Sequence, residues 1–195
     1  MQKEVWEKIA LKWNEYRKWP AQIVKELANI WKKGKILDIG CGNGRNLKPF
    51  VEKGFNCYGI DFSEKMITIA KKEVKKSKFK VANSEKLPFK ANSFDYCLFL
   101  RTLPTIKSKE NRLKAIKELR RVLKKNGKVL ISVWNKKTSE KEVLIPWPVG
   151  KRIYHRYYYM YSSREIKDLL KKNGFKILRI DNRIKKDYIL EVEKV

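Results

Sequence analysis

From residue 35 onward, short apolar runs alternate with segments whose apolar residues recur every three or four positions. The apolar runs predict strands at 35–39, 55–60, 79–82, 94–100 and 128–134. Strands separated by helices form parallel sheets with right-handed crossovers. Two later runs, at 175–180 and 188–192, are joined by a short polar turn and predict an antiparallel hairpin. We therefore expect an α/β fold with a doubly wound, mostly parallel seven-stranded sheet and an antiparallel C-terminal hairpin.

Two segments fall outside this alternation. Residues 1–33 predict two helices, the second opened by Pro20. Residues 135–161 contain Pro146 and Pro148, and we expect an irregular loop there, on the substrate side. The sequence thus predicts a single domain over 1–195. Its parts are a helical extension at 1–33, a cofactor-binding core at 34–134, a loop insertion at 135–161, and a helix with a hairpin at 162–195.

The net charge of the chain indicates which class of partner it binds. Lysine and arginine number 48 against 21 acidic residues, a net charge of +27, and such a field attracts polyanions such as nucleic acid. The basic residues are spread over every predicted helix, so charge does not locate a site. No apolar run approaches the roughly 18 residues of a membrane helix, and the N-terminus lacks the apolar core of a signal peptide. We therefore expect a cytoplasmic protein without a membrane partner.

The three cysteines predict neither a disulfide framework nor a metal site. They are odd in number, far apart and without metal-ligand spacing. Cys57 and Cys97 lie in predicted strands, where we expect them to be buried as small apolar side chains.

A glycine-rich turn follows the first predicted strand, with the sequence Asp-Ile-Gly-Cys-Gly-Asn-Gly over residues 38–44. It lacks the Gly-Lys-Ser/Thr of a phosphate loop. An acid, Asp38, precedes the first glycine and suits a ligand with a positive centre. A second acid, Asp61, ends the next strand about 20 residues later, where a carboxylate accepts hydrogen bonds from ribose hydroxyls. S-adenosylmethionine, with an ammonium, a sulfonium and a ribose, satisfies both.

These residues resemble the class I methyltransferases. Residues 38–44 look like the first motif of that family, 59–63 like its second, 82–89 like its third and 93–95 like the start of its fourth. Asn83 stands where the family usually has an Asp near the adenine amine, and its amide oxygen still accepts a hydrogen bond. The resemblance implies S-adenosyl-L-methionine as cofactor, bound by Asp38, Gly40, Cys41, Gly42, Gly44, Asp61, Phe62, Asn83, Ser84 and Leu100.

Residues 154–161 interleave tyrosines with Arg156, a pattern that suits base stacking and phosphate binding in RNA recognition. The alternative is a hydrophobic flap that covers the sheet edge. The segment resembles a narrower family, the tRNA wobble-uridine carboxymethyl methyltransferases, in its Ile-Pro-Trp-Pro at 145–148 and its His-Arg-Tyr-Tyr at 155–158. Tyr-Arg-Lys-Trp-Pro at 16–20 is similar to the N-terminal extension of that family.

This narrower resemblance implies a tRNA substrate and a small zinc-binding activator protein as partner. It implies contacts to substrate or RNA from Arg17, Trp19, Trp147, His155, Arg156, Tyr157 and Tyr158. The chain departs from the family where histidines are usual, since it has Pro104, Thr105, Pro148 and Tyr159 there. Where those histidines contact the nucleotide, its recognition is changed here.

The chemistry of such a reaction is undemanding. A uridine-5-acetate carboxylate has a pKa near 4 and is ionised at neutral pH, so no general base is required. Catalysis then consists of aligning the reactants and excluding water. Arg17, Arg101 and Arg156 are candidates to orient the carboxylate through bidentate contacts, although a rim or capping role is as plausible for Arg101.

The sequence therefore predicts methylation of a carboxymethyl-type wobble uridine in tRNA. Two alternatives stay open. One is a small-molecule methyltransferase of the quinone or sterol type, and the other is a cofactor-binding RNA-binding protein without catalysis.

Overall fold

A computed structural model describes residues 2–135, 138–181 and 187–195. Its strands, in chain order, are β1 (Lys35–Ile39), β2 (Asn56–Asp61), β3 (Lys78–Val81), β4 (Phe94–Leu100), β5 (Leu123–Trp134), β6 (Glu142–Val149), β7 (Arg152–Tyr159), β8 (Phe175–Asp181) and β9 (Asp187–Lys194). Seven of these form one sheet in the order β3-β2-β1-β4-β5-β9-β8, while β6 and β7 pair with each other. The predicted seven-stranded sheet is confirmed.

The main sheet is parallel from β3 to β5, and β9 runs antiparallel between β5 and β8. The strand order reverses between β1 and β4, which lie side by side although two strands separate them in the sequence. Ligands of doubly wound sheets bind in the crevice that opens at such a reversal, beyond the carboxyl ends of the strands. The topology therefore places the candidate site at the ends of β1, β2 and β4.

Six α-helices accompany the strands of the described chain, namely α1 (Gln2–Tyr16), α2 (Gln22–Ile30), α3 (Lys48–Glu52), α4 (Glu64–Glu73), α5 (Lys109–Val122) and α6 (Ser163–Lys172). Serine side chains begin three of them: Ser63 caps α4, Ser108 caps α5 and Ser162 forms a capping box on α6. The helices bury their apolar faces against the sheet, and Cys57 and Cys97 are buried with them, as predicted.

Two predicted helix boundaries were wrong. Helix α2 begins at Gln22, two residues after Pro20, because residues 17–21 form a separate extended link. The apolar spacing from Leu113 and the Asn-Gly pair at 126–127 predict a helix that ends at this pair, but helix α5 ends at Val122. That pair lies instead within β5, where the register against β4 shifts and Asn126 adopts a φ of 59°. Asparagine tolerates this left-handed conformation better than most residues.

In the described part of the segment 135–161, residues 142–159 do not form the irregular loop that the prolines suggest. Strands β6 and β7 pair over their whole length as an antiparallel hairpin with Gly150 at its tip. In a two-stranded ribbon each strand has a free edge, so a proline whose nitrogen faces outward costs no ladder hydrogen bond. Val143, Ile145 and Trp147 alternate with exposed Leu144, Pro146 and Pro148, so one face of the hairpin packs inward.

The hairpin and α1 pack together over the carboxyl end of the sheet. The Gln2 side chain accepts a hydrogen bond from the Tyr157 amide at 2.9 Å and donates to the His155 carbonyl at 3.4 Å. The Glu7 carboxylate accepts from the amides of Glu64 and Lys65 at the start of α4. The two segments outside the β–α alternation thus form one cover. No helix in the described part of the chain has the length and apolarity to span a membrane.

Candidate active site

A cleft of about 350 Å³ lies between the sheet and this cover. We call its two sides the turn wall and the arginine wall. The turn wall consists of Gly40, Cys41, Gly42, Asp61, Phe62 and Leu100, from the glycine turn and the strand ends. The arginine wall consists of Trp6, Trp13, Arg17, Arg101, Trp134, Arg156 and Tyr158, from α1, the end of β4, the end of β5 and the hairpin.

The backbone of the glycine turn is fixed by the strand beside it. The amides of Gly40 and Cys41 donate to the Ile60 carbonyl at 2.8 and 2.9 Å. Gly40 has a φ of +73°, and a Cβ atom there would lie 2.1 Å from the Thr102 hydroxyl oxygen. Only glycine satisfies both constraints, so this position keeps the turn close against β4 and leaves its outer face open to a ligand.

Asp61 holds the turn from the side of β2. One carboxylate oxygen accepts from the Gly42 amide and the other from the Ser63 amide, both at 2.9 Å. Burial raises the pKa of Asp61 to about 6, although the backbone hydrogen bonds from Ser63 and Gly42 act in the opposite direction. The carboxylate therefore faces the cleft with a rigid orientation.

Asp38 is buried just before the turn and carries an unsatisfied oxygen. Its side chain is 1% exposed and Oδ2 has no hydrogen-bond partner. Burial raises its pKa to about 7, the nearby Asp61 adds to this, and Arg45 opposes it. A buried carboxylate oxygen without a partner is costly, and a cationic ligand beside it removes that cost. The paired acids and the open glycine backbone therefore fit the positive charge and the ribose of S-adenosylmethionine.

Besides the buried Asp38, three of the predicted cofactor contacts lie outside the lining of the cleft. Gly44 packs beneath α4, where a Cβ atom would lie 3.0 Å from the Phe79 ring. Asn83 is exposed, and the Ser84 hydroxyl donates to Glu85 at 2.9 Å. The structure brings together the other predicted cofactor residues, with Asp38 buried behind the turn they form.

Arg156 is the central side chain of the arginine wall. It is 4% exposed, and its guanidinium carbon lies 4.6 Å from the Trp147 ring centre and 5.4 Å from that of Trp13. One terminal nitrogen donates to the Tyr158 hydroxyl at 3.1 Å, while Nε has no partner. None of the ion pairs of the described residues involves Arg156. A buried guanidinium held by aromatic faces alone retains donors for an anionic ligand.

The other unsatisfied polar atoms on this side are also donors. They are Nε of Arg17 and the indole nitrogens of Trp6 and Trp147. Burial and the charges of Arg17 and Arg101 together lower the pKa of Arg45 to about 10, against the opposing effect of Asp38. The arginines are thus close enough to repel one another, which gives this side of the cleft a positive potential that favours an anion.

Arg101 already has a carboxylate partner. Its guanidinium donates to Asp187 through Nη2 at 2.6 Å and through Nε at 3.1 Å, and the Asp187 side chain is 4% exposed. Arg101 also adopts a φ of +55°, which directs the end of β4 toward β5 through a bond from its amide to the Ser132 carbonyl. Arg101, which the sequence predicts as a candidate to orient the substrate carboxylate, is therefore paired with Asp187 at the start of β9.

The remaining predicted substrate residues lie outside the lining of the cleft. Trp19 is 78% exposed, and its carbonyl is bound by Arg45 of the lining. Trp147 packs behind Arg156, 5.1 Å from Trp13 between ring centres. His155 is exposed on the outer face of the hairpin. Tyr157 is buried outside the lining, where its hydroxyl donates to the Lys107 carbonyl at 3.1 Å.

Sequence reasoning missed several residues of the site. Trp6 and Trp13 lie seven residues apart on one face of α1, a spacing that could have indicated them. Asn43 and Arg45, beside the glycines, bind the link between α1 and α2. No local signal indicates Asp187, which reaches Arg101 across 86 positions of the chain.

Comparison with known proteins agrees with this geometry. Residues 12–180 match the family described as Methyltransferase domain. The chain is 34% identical to Uncharacterized protein MJ1123 of Methanocaldococcus jannaschii, over 84% of this chain and 74% of that protein. It is 26% identical to the tRNA (carboxymethyluridine(34)-5-O)-methyltransferase of Schizosaccharomyces pombe, over 90% and 88%. It is 32% identical to the ubiquinone biosynthesis O-methyltransferase of Pelagibacter ubique, over 80% and 66%.

Other relatives are much longer, and the chain spans 29% of Probable tRNA methyltransferase 9B from Mus musculus and 18% of alkbh8 from Xenopus tropicalis. Among solved structures, a Haloferax volcanii methyltransferase in complex with the Trm112 methyltransferase activator superposes with a TM-score of 0.77. It is 17% identical, over 100% of this chain and 97% of that one, which shows a shared fold. The chain therefore belongs to the methyltransferase-domain family, as a class I enzyme that uses S-adenosylmethionine.

Proposed function

We propose that this enzyme methylates the carboxylate of a carboxymethyl-type modified wobble uridine in tRNA. The observation that carries the proposal is Arg156, a buried guanidinium on the arginine wall that none of the described acidic residues neutralises. A carboxylate matches the planar guanidinium and accepts two parallel hydrogen bonds from it. The donors around Arg156 likewise lack acceptors, as an acceptor-rich substrate requires.

Each wall of the cleft then has one task. S-adenosylmethionine, when bound, supplies an electrophilic methyl group on a sulfonium. Asp38 and Asp61 hold positive charge and ribose hydroxyls on the turn wall, and Arg156 and Arg17 hold the carboxylate opposite. Trp6 and Trp13 exclude water from the space between the walls. Because the carboxylate is already ionised at neutral pH, none of these residues has to remove a proton.

The nucleic acid part of the proposal has separate support. A net charge of +27 favours a polyanionic partner. The Schizosaccharomyces pombe relative, matched over nearly its whole length, is named for carboxymethyluridine at position 34 of tRNA. We expect the RNA to contact exposed Trp19, whose carbonyl is bound by the cleft residue Arg45, and the exposed basic residues Lys18, Lys151 and Arg152.

A small-molecule acceptor of the quinone type is the second candidate. The aromatic residues of the arginine wall favour it, since Trp6, Trp13, Trp134 and Tyr158 form a surface for a planar ring. The Pelagibacter ubique relative is named for ubiquinone biosynthesis. Its acceptor would need an anionic group to balance Arg156, because a buried guanidinium left without a partner is costly.

An activator subunit is part of the same proposal. The Haloferax volcanii neighbour is in a complex with the Trm112 activator, and this chain exposes Val81 on edge strand β3 and Leu178 and Ile180 on edge strand β8. We expect a small zinc-binding protein to cover one of these edges, since exposed apolar edges promote unwanted pairing. Full solubility and activity of the isolated chain would contradict this part.

The test is transfer of a labelled methyl group from S-adenosylmethionine to bulk tRNA, compared with transfer to a lipid extract. A methyl ester releases its label as methanol under mild base, whereas a methylated amine, carbon or ether retains it. Nucleoside mass spectrometry then identifies the product. Base-labile label in tRNA supports the proposal, and label only in the lipid fraction favours the second candidate. Binding of tRNA without transfer, when the activator subunit is also present, would contradict the reaction.

A further inference from the structure

Three polar side chains, one in the glycine turn and two just after it, all bind one short segment of the N-terminal extension. Asn43 donates through Nδ2 to the Arg17 carbonyl at 2.8 Å. Arg45 donates through Nη1 to the Trp19 carbonyl at 2.6 Å. Asn46 accepts from the Ala21 amide at 3.2 Å. We call these three residues the clamp and residues 17–21, which link α1 to α2, the link.

The clamp makes all the side-chain hydrogen bonds that the described residues form to the backbone of the link. Residues 17–21 lie outside helices and strands, so their backbone has no regular ladder of its own. The clamp binds alternate residues of the link, and Asn43 also donates to the Asn14 side chain at 2.7 Å within α1. Asn43 is 3% exposed, so its two bonds are shielded from water and costly to break. The bond from Arg45 to Trp19 is exposed.

Holding the backbone in this way directs the side chains of the link to two places. Arg17 points into the cleft, where Nε has no partner and the guanidinium carbon lies 5.2 Å from the Trp13 ring centre. Trp19 is 78% exposed, next to Arg45 of the cleft lining, which binds its carbonyl. An exposed indole with a fixed backbone is a stacking platform for a nucleobase, beside the exposed charge of Lys18.

The same clamp residues belong to the turn that lines the cofactor side. Asn43 is flanked by Gly42 and Gly44, both with positive φ, and Arg45 lines the cleft itself. Any ligand that orders the turn therefore also orders the residues that hold the link. A ligand that rigidifies a segment lowers the cost of the next binding event on that segment, and the effect is reciprocal.

We propose that Asn43, Arg45 and Asn46 are positioning residues that couple the two sides of the cleft, so that cofactor and RNA bind cooperatively. The RNA half of this inference rests on the proposed function. The cofactor half concerns only the turn and the link, and is measurable without RNA.

The first measurement is amide hydrogen exchange of residues 17–22 with and without S-adenosylhomocysteine. In the wild-type chain we expect the ligand to slow exchange by about tenfold, a typical size for coupling between sites. Arg45→Met removes one bond of the clamp and keeps an aliphatic chain, while Asn43→Ala removes two. Both should lose most of this protection although they still bind the ligand. Equal protection in wild type and variants would overturn the inference.

Asn29→Ala is the matched control, because Asn29 donates only to the Lys25 carbonyl on the exposed face of α2. It should behave as wild type. If Asn43→Ala unfolds, as judged by its melting curve, Arg45→Met decides the question, since Arg45 is partly exposed and outside the core.

The second measurement is the dissociation constant for tRNA with and without S-adenosylhomocysteine. We expect the ligand to tighten wild-type binding by about tenfold and to leave Arg45→Met nearly unaffected. Coupling that persists in the variant would overturn the inference. If tRNA does not bind the wild-type chain while exchange in the link still responds to the ligand, the proposed function fails and the clamp stands.

Discussion

The two walls of the cleft are built in opposite ways. The turn wall comes from neighbouring strand ends and is fixed by backbone hydrogen bonds, and the unsatisfied polar atom buried behind it, Asp38 Oδ2, is an acceptor. The arginine wall is assembled from α1 and the residue that follows it, two strand ends and the hairpin, through side chains. The unsatisfied polar atoms of this wall, on Trp6, Arg17 and Arg156, and that of Trp147 behind it are all donors. The cleft is therefore divided into a side for positive charge and a side for negative charge.

This division explains how one small site accommodates two ligands of opposite sign. A cation placed against Arg156, or an anion against Asp38, would leave both buried charges uncompensated, which is costly at low dielectric. The charges of the two walls alone are therefore sufficient to determine which way round the two reactants bind. If the two walls bind their ligands separately, a substitution on one wall should leave the affinity at the other wall nearly unchanged. Substitutions in the clamp, which joins the two walls, are the exception.

The largest expected effect is on Arg156. Arg156→Met preserves bulk and removes the charge, and we expect kcat/KM for tRNA to fall by about 100-fold. Truncating one partner of a buried charged hydrogen bond costs about 2–5 kcal/mol, and about 1.4 kcal/mol corresponds to tenfold. Affinity for S-adenosylhomocysteine, measured by calorimetry, should change less than about twofold. Arg164→Met, on an exposed position of α6 and outside the cleft and the hairpin, is the control. An equal loss of cofactor affinity would show that the walls are not separate.

An intermediate effect is expected from pH. Burial raises the pKa of Asp38 to about 7 and that of Asp61 to about 6. A cationic ligand prefers both as carboxylates, so affinity for S-adenosylmethionine should rise from pH 5 to about pH 7, by up to about tenfold per unit for each group, and then level off. Isothermal titration at several pH values tests this. Asp38→Asn should flatten the upper part of the rise, and a profile unchanged by that substitution would contradict the assignment.

The same raised pKa values predict that the stability of the ligand-free protein falls as pH rises, whereas its affinity for the cofactor rises. Since the folded pKa of Asp38 lies above the value near 4 of an unfolded chain, its contribution favours the folded state at low pH. That contribution is lost as pH rises from about 4 to about 7. The ligand-free protein should therefore become less stable over this window, while added cofactor recovers the difference. The arginines remain charged throughout, so no matching step is expected in affinity for tRNA.

The smallest effect concerns Tyr157. Its hydroxyl binds the Lys107 carbonyl, so Tyr157→Phe should remove about 1 kcal/mol of stability and lower Tm by about 2–4 °C. Affinity for tRNA should not change, because the side chain is buried outside the cleft lining. Differential scanning calorimetry and filter binding separate the two readouts. Weaker tRNA binding with an unchanged Tm would contradict this, and would support the RNA contact that the sequence predicts for Tyr157.

The sequence predicted the turn wall well and the arginine wall poorly, for a physical reason. The glycines, Asp38 and Asp61 obey local rules of strand, turn and helix start, so spacing alone places them together. The hairpin escaped prediction because Pro146 and Pro148 normally argue against a strand, and their tolerance depends on the free edges of a two-stranded ribbon. The pairing of Arg101 with Asp187 depends on β9 lying beside β5, a tertiary fact without a local signature.

The hairpin has a consequence for how such enzymes diversify. Strands β6 and β7 make their ladder with each other alone and leave the seven-stranded sheet complete without them. Insertions, deletions and substitutions in this hairpin can therefore occur without disturbing the hydrogen bonds that hold the turn wall. A descendant with a different acceptor needs to change little more than the inward residues of the ribbon and the facing side of α1. The architecture separates the inherited chemistry from the part that adapts.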